Sequence, residues 1–201
     1  MPLVRYLPRD LLRIHAEFRS RVAARDFFGS PKHQKAREQW CAAHFSHGYE
    51  KHLGDCAVHI EEPDPQTDTD FHLEVDNVLH EFQVTEVQEP GRRRGDEYKH
   101  QPIAATRYED WSLGTQAGPE WIRAAIDKKL HLYASVQRLN LLVYVNFPAY
   151  EVNYDNVRQC AASVAAPFAS VWLLTGNAVG CVKPNPHLAN VQGWLGIPES
   201  P

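Results

Sequence analysis

Residues 68–87, DTDFHLEVDNVLHEFQVTEV, constrain the fold more than any other stretch. They read as a β-hairpin closed at Asp76-Asn77, two residue types that tolerate the left-handed backbone of a tight loop. The pairing follows: Val75 with Val78, Leu73 with His80, His72 with Glu81, Phe71 with Phe82, and Asp70 with Gln83. Side chains alternate along a strand. One face carries Phe71, Leu73, Val75, Val78, His80, Phe82 and Val84. The other gathers Asp70, His72, Glu81 and Gln83, with Leu79 and Val87. Diagonal partners in such a ladder lie about 7–8 Å apart. That spacing would let Asp70 and Glu81 share a metal ion, which would offset their mutual repulsion. The plain alternative is a solvated sheet face.

A sheet needs covering, and the flanking pattern supplies helices. Residues 9–27 read as a helix with Asp10 as its cap, and Ser30-Pro31 opens a second one to Leu53, stopped by Gly54. Residues 56–62 form a strand leading into the hairpin. Residues 88–118, polar and containing four glycines, read as a long loop. Pro119 starts a helix to Arg138. Leu139–Phe147 (LNLLVYVNF) reads as a central buried strand. Asn153 caps a helix to Ala166, Ser170–Leu174 forms another buried strand, and Thr175-Gly176-Asn177 turns the chain. The tail 183–201 reads as irregular. The expectation is an α/β fold, a mixed sheet flanked by helices, in a single domain over 1–201.

The helix expected at 119–138 contains an anomaly. Ile122, Ala125, Ile126, Leu132, Tyr133 and Val136 fall on one stripe, and Lys129 lies at its centre. A lysine there either snorkels to water at an edge or points a positive charge at the acidic face of the hairpin.

Composition bounds the function. With 201 residues and a formal net charge of −4, the chain is no polycation, so nucleic-acid binding would need a local basic patch. Arg92, Arg93, Arg94, Lys99 and Arg107, interspersed with Tyr98, Tyr108 and Trp111, offer one. A solvated loop diluted by Glu97, Glu109 and Asp110 explains the same residues. The four scattered cysteines suit reduced thiols. No apolar run approaches the roughly 20 residues of a membrane span. MPLVRYLPRDLLR has no uninterrupted apolar core, so a cytoplasmic location is expected. His44, His47 and His52 lack the spacing of a zinc motif.

An acidic residue opening one strand and E-x-K on the next mark the PD-(D/E)XK nucleases. Asp70-Phe71-His72-Leu73 and Glu81-Phe82-Gln83-Val84-Thr85 resemble that pattern, with Gln83 in place of the lysine. Lys129-x-x-x-Tyr133 is similar to the Q-x-x-x-Y of the following helix in some members. The resemblance covers residues 33–147 and implies a restriction-endonuclease-like core with an extra N-terminal helix. It further implies Mg²⁺- or Mn²⁺-dependent hydrolysis of nucleic acid, DNA rather than RNA. Asp70, Glu81 and the Phe82 carbonyl would hold the metal. Gln83 would orient water, and Lys129 would stabilise developing charge in place of the missing lysine. Glu38, on the apolar side of the preceding helix, and His72 and Tyr133 would support the site. Asp64 spells the "PD" literally, but Asp70 is better placed. The alternative is a catalytically silent protein of that fold binding nucleic acid or a protein partner. A homodimer stays open.

Overall fold

A computed structural model describes residues 3–61, 69–92, 111–133 and 135–197. Its centre is an eight-stranded mixed sheet whose strands lie side by side in chain order. They are β1 (Leu3–Tyr6), β2 (Ala57–Glu61), β3 (Phe71–Val75), β4 (Val78–Val87), β5 (Asn140–Val145), β6 (Ser170–Leu174), β7 (Ala178–Lys183) and β8 (Leu195–Gly196). β4–β5 and β5–β6 pair in parallel, and the other neighbours are antiparallel. Helices cover both faces, as the α/β reading expects. These are α1 (Pro8–Arg21), α2 (Ala24–Gly29), α3 (Gln34–His52), α4 (Trp111–Leu132) and α5 (Tyr154–Ala165).

The hairpin register is the expected one, from Phe71 opposite Phe82 to Val75 opposite Val78. Asp76 and Asn77 have φ of 51° and 62°, both left-handed, as a two-residue turn matched to strand twist requires. On one side of the sheet Phe71, Leu73, Phe82, Leu142 and Trp172 pack under α1 and α3. Phe45 of α3 is the hub there, with ring centroids 5.3 Å from both Phe82 and Trp172. On the other side Val87, Leu141, Val143, Val171 and Leu173 pack under α4 and α5. Each such buried side chain contributes about 1.5–3 kcal/mol.

Several boundaries differ from the sequence reading. The first helix starts at Pro8, whose absent N–H suits the first turn, so Asp10 lies inside it. It ends at Arg21, where Val22 is extended, and a separate short α2 follows. Pro31–His33 forms a 3-10 turn before α3. The expected loop 88–118 is helical from Trp111, and Pro119 lies inside α4. Gly114 and Gly118 are there for close approach rather than for a loop. A Cβ on Gly114 would sit 1.8 Å from the Pro148 carbonyl oxygen, and one on Gly118 2.7 Å from the Phe147 ring. Leu132, assigned to the buried stripe, is 62% exposed because the helix ends there. β1, β7 and β8 were not expected. The tail is tied down by Tyr154, whose hydroxyl lies 2.5 and 3.0 Å from the Cys181 and Val191 carbonyl oxygens and shares its one proton between them.

Candidate functional site

Asp70 immediately precedes β3, where its N–H donates to the Phe82 carbonyl at 2.9 Å. Its Oδ2 accepts the Val84 N–H at 2.7 Å, and its own carbonyl accepts from Lys35 Nζ at 3.2 Å. The carboxyl is pushed up to about 6, by burial first and then by the neighbouring Glu38. The Val84 N–H, Lys35 and Lys129 pull it back. Glu38 comes from α3 and accepts from Gln34 Nε2 at 2.9 Å. Lys129 comes from α4. Its ammonium donates to Gln83 Oε1 at 3.4 Å and to the Tyr133 hydroxyl at 3.5 Å. Burial lowers its pKa, opposed by Asp70 and Glu38. Three elements distant in sequence therefore bring two carboxylates and one ammonium together. The lysine on the apolar stripe points its charge toward the Asp70 side of the sheet.

Glu38 and Lys129 also line a cavity of about 370 Å³. Phe27 and Phe28 of α2, Trp40 of α3 and Tyr144 of β5 line it, together with Arg19 and Arg37. Arg19 lies over the Phe27 ring at 4.3 Å, and Arg37 donates to the Phe27 and Ser30 carbonyls at 2.7 and 3.1 Å. Val84, which holds Asp70 through its N–H, also lines the cavity. A concave apolar space with a few convergent polar groups is the usual form of a small-molecule site.

In the β3–β4 register Glu81 stands opposite His72, which is the diagonal placement relative to Asp70 that the sequence predicts. Glu81 is exposed opposite His72 and acts on its imidazole. It lines a separate cleft with Arg138, Lys183 and His187. The Phe82 carbonyl accepts the Asp70 N–H. Burial lowers the His72 pKa, and its Nδ1 has no hydrogen-bond partner among the described residues. Among the described residues, no three His, Cys, Asp or Glu side chains converge as a metal-holding group. Arg92 donates to the Asn146 carbonyl at 2.7 Å. Arg93, Arg94, Lys99 and Arg107, like Asp64, lie outside the described residues. His52 Nε2 lies 2.6 Å from the Gly196 carbonyl oxygen. Sequence reasoning missed Lys35 and the aromatic cavity. The only signal for the cavity was the aromatic content of residues 27–45, scattered over two helices.

No protein-family model and no curated protein matches this chain. Among solved structures it is similar to a protein of unknown function from Pseudomonas aeruginosa strain PAO1, described as belonging to the monooxygenase superfamily. That likeness covers 94% of each chain at 15% identity with a TM-score of 0.45. The description names no PD-(D/E)XK nuclease, and the nuclease reading is corrected accordingly. Neither hydrolysis of nucleic acid nor the silent nuclease-fold alternative is retained. At the site itself Gln83, standing where the pattern has lysine, accepts from Lys129. At this TM-score and identity the likeness transfers no monooxygenase activity to the chain. No described helix is long and apolar enough to cross a membrane.

Proposed function

We propose that this chain binds a small anionic molecule with a flat apolar body and acts on it by proton transfer. The observation that carries this reading is Asp70, pushed up to about 6 beside Glu38 and Lys129, two residues that line the aromatic cavity. A carboxyl titrating near neutrality can both give and take a proton under ordinary conditions. Lys129, Arg19 and Arg37 outnumber Glu38 and Glu86 around the space, which favours an anionic head group. Trp40, Phe27, Phe28 and Tyr144 favour a planar body.

Mg²⁺ or Mn²⁺ enters this reading in one form. Asp70 and Glu38, completed by water and ligand oxygens, suit a hard cation that keeps part of its hydration. The cation and the shared proton would then compete for the same oxygens.

The test is a thermal-shift and calorimetric screen of aromatic carboxylates and phosphates against the wild type, Lys129→Met and Trp40→Ala, with and without Mg²⁺. Ligands should stabilise the wild type, and each substitution should weaken binding by about tenfold, the loss of one charge-assisted or aromatic contact. Absence of any binder, or binders indifferent to both substitutions, would overturn the reading.

A further inference from the structure

The α1–α3 interface buries histidines that the cavity does not use. α1 packs along α3 with Pro8, Leu11, Leu12 and His15 turned inward. His15 is 4% exposed, and neither of its ring nitrogens has a hydrogen-bond partner among the described residues. His47 of α3 has a buried, unpartnered Nδ1 as well. His44, one turn earlier, is acted on by the charges of both His47 and His15. Trp40 packs on His44 with ring centroids 4.3 Å apart. A neutral imidazole carries one donor and one acceptor, and burying both unmet is costly. A leucine at position 15 would pack without that cost.

The groups facing these imidazoles decide what they respond to. From α3 the facing titratable groups are His44 and His47, and from α1 it is His15. The carboxylate of Glu17 pairs with Arg13 on the exposed side of α1, at 3.1 Å. Arg19, one turn beyond His15, reaches the cavity and lies over Phe27 and Phe28.

We infer that His15 and His44 form a proton-operated latch: neutral, they let α1 lie on α3 and hold the Arg19–α2 wall of the cavity in place, and protonated, they push α1 away and open that wall. Burial supports this by holding His15 and His44 down to about 4 in the closed form. With α1 lifted they regain the ordinary value near 6.5. The open form then binds more protons between pH 6.5 and 4, so falling pH favours opening across that window. The cavity half of this inference rests on the ligand-binding reading above. The pH response of α1 does not.

Amide hydrogen exchange on the ligand-free chain at pH 7 and pH 5, corrected for intrinsic rates, separates the two. Protection of Leu11–Phe18 should fall by about tenfold or more relative to that of α5. His15→Leu and His44→Gln should each flatten the fall. Equal loss in α1 and α5, no loss in α1, or wild-type slopes in both variants would overturn the latch. If His15→Leu does not fold, His44→Gln and the NMR titration of His15 in the wild type decide, a midpoint near 6.5 in the closed protein counting against it. Failure of the ligand screen would leave the exchange result untouched.

Discussion

Asp70 and Lys129 set opposite demands on one small volume. Burial penalises both charges, and their mutual attraction returns part of that cost. Because the folded Asp70 holds its proton up to about pH 6 while the unfolded one loses it near 4, the native state binds more protons in between. Asp70 therefore supports stability fully below pH 4, and that support is lost as pH rises through 6. Asp70→Asn should keep the bond from the Val84 N–H and remove this loss. The variant should gain about 1–2 kcal/mol relative to wild type between pH 4 and 6.5, read from urea unfolding at several pH values. An unchanged difference across that range would show that Asp70 is not the titrating group. The hairpin pairing was legible because alternation and the Asp76-Asn77 turn are local signals. The Asp70–Glu38 neighbourhood was only half legible. Position along a strand does not reveal which helix leans over it, so Glu38 could be named only from the pattern of its own helix.

Among the elements, α4 is the most informative. Its N-terminal turns lie so close to the chain at Phe147-Pro148 that side chains are excluded at two points. Gly114→Ala would drive a methyl into a backbone carbonyl, which cannot move aside, and should cost about 3 kcal/mol or more. Gly118→Ala meets the Phe147 ring instead, which can rotate, and should cost less. Thermal unfolding of both variants checks the order, and a milder Gly114→Ala would contradict the close approach. These glycines also explain a misreading. In sequence they resemble loop punctuation, because nothing local distinguishes a glycine needed for freedom from one needed for space. β7 was missed for a related reason. It follows a clear turn and contains Gly180, where a Cβ would meet Trp194 and Tyr154.

For the molecule as a whole, the acid limb of stability results from opposing groups. His15 and His44, held down to about 4, withdraw stability as pH falls from 6.5 to 4, whereas Asp70 returns some over nearly the same range. Two imidazoles outweigh one carboxyl, so stability should rise with pH between 4 and 6.5. The rise should be steeper in Asp70→Asn and shallower in His15→Leu. Melting temperatures at half-unit pH steps test this, and a flat profile would contradict the assigned burial of the histidines. The cavity itself could not be read along the chain, since its walls come from α1, α2, α3, β4, β5 and α4.

The sheet runs through its eight strands in chain order, which has a mechanical side. β1 and β8 lie on opposite edges, roughly 34 Å apart at the usual strand spacing. A force applied between Arg5 and Gly196 points across the strands, along their hydrogen bonds. It loads the bonds one after another rather than together. In an optical trap the chain held by those residues should come apart in successive low-force steps, strand peeling from strand. A single high-force rupture would show that the helices, not the ladder, carry the load.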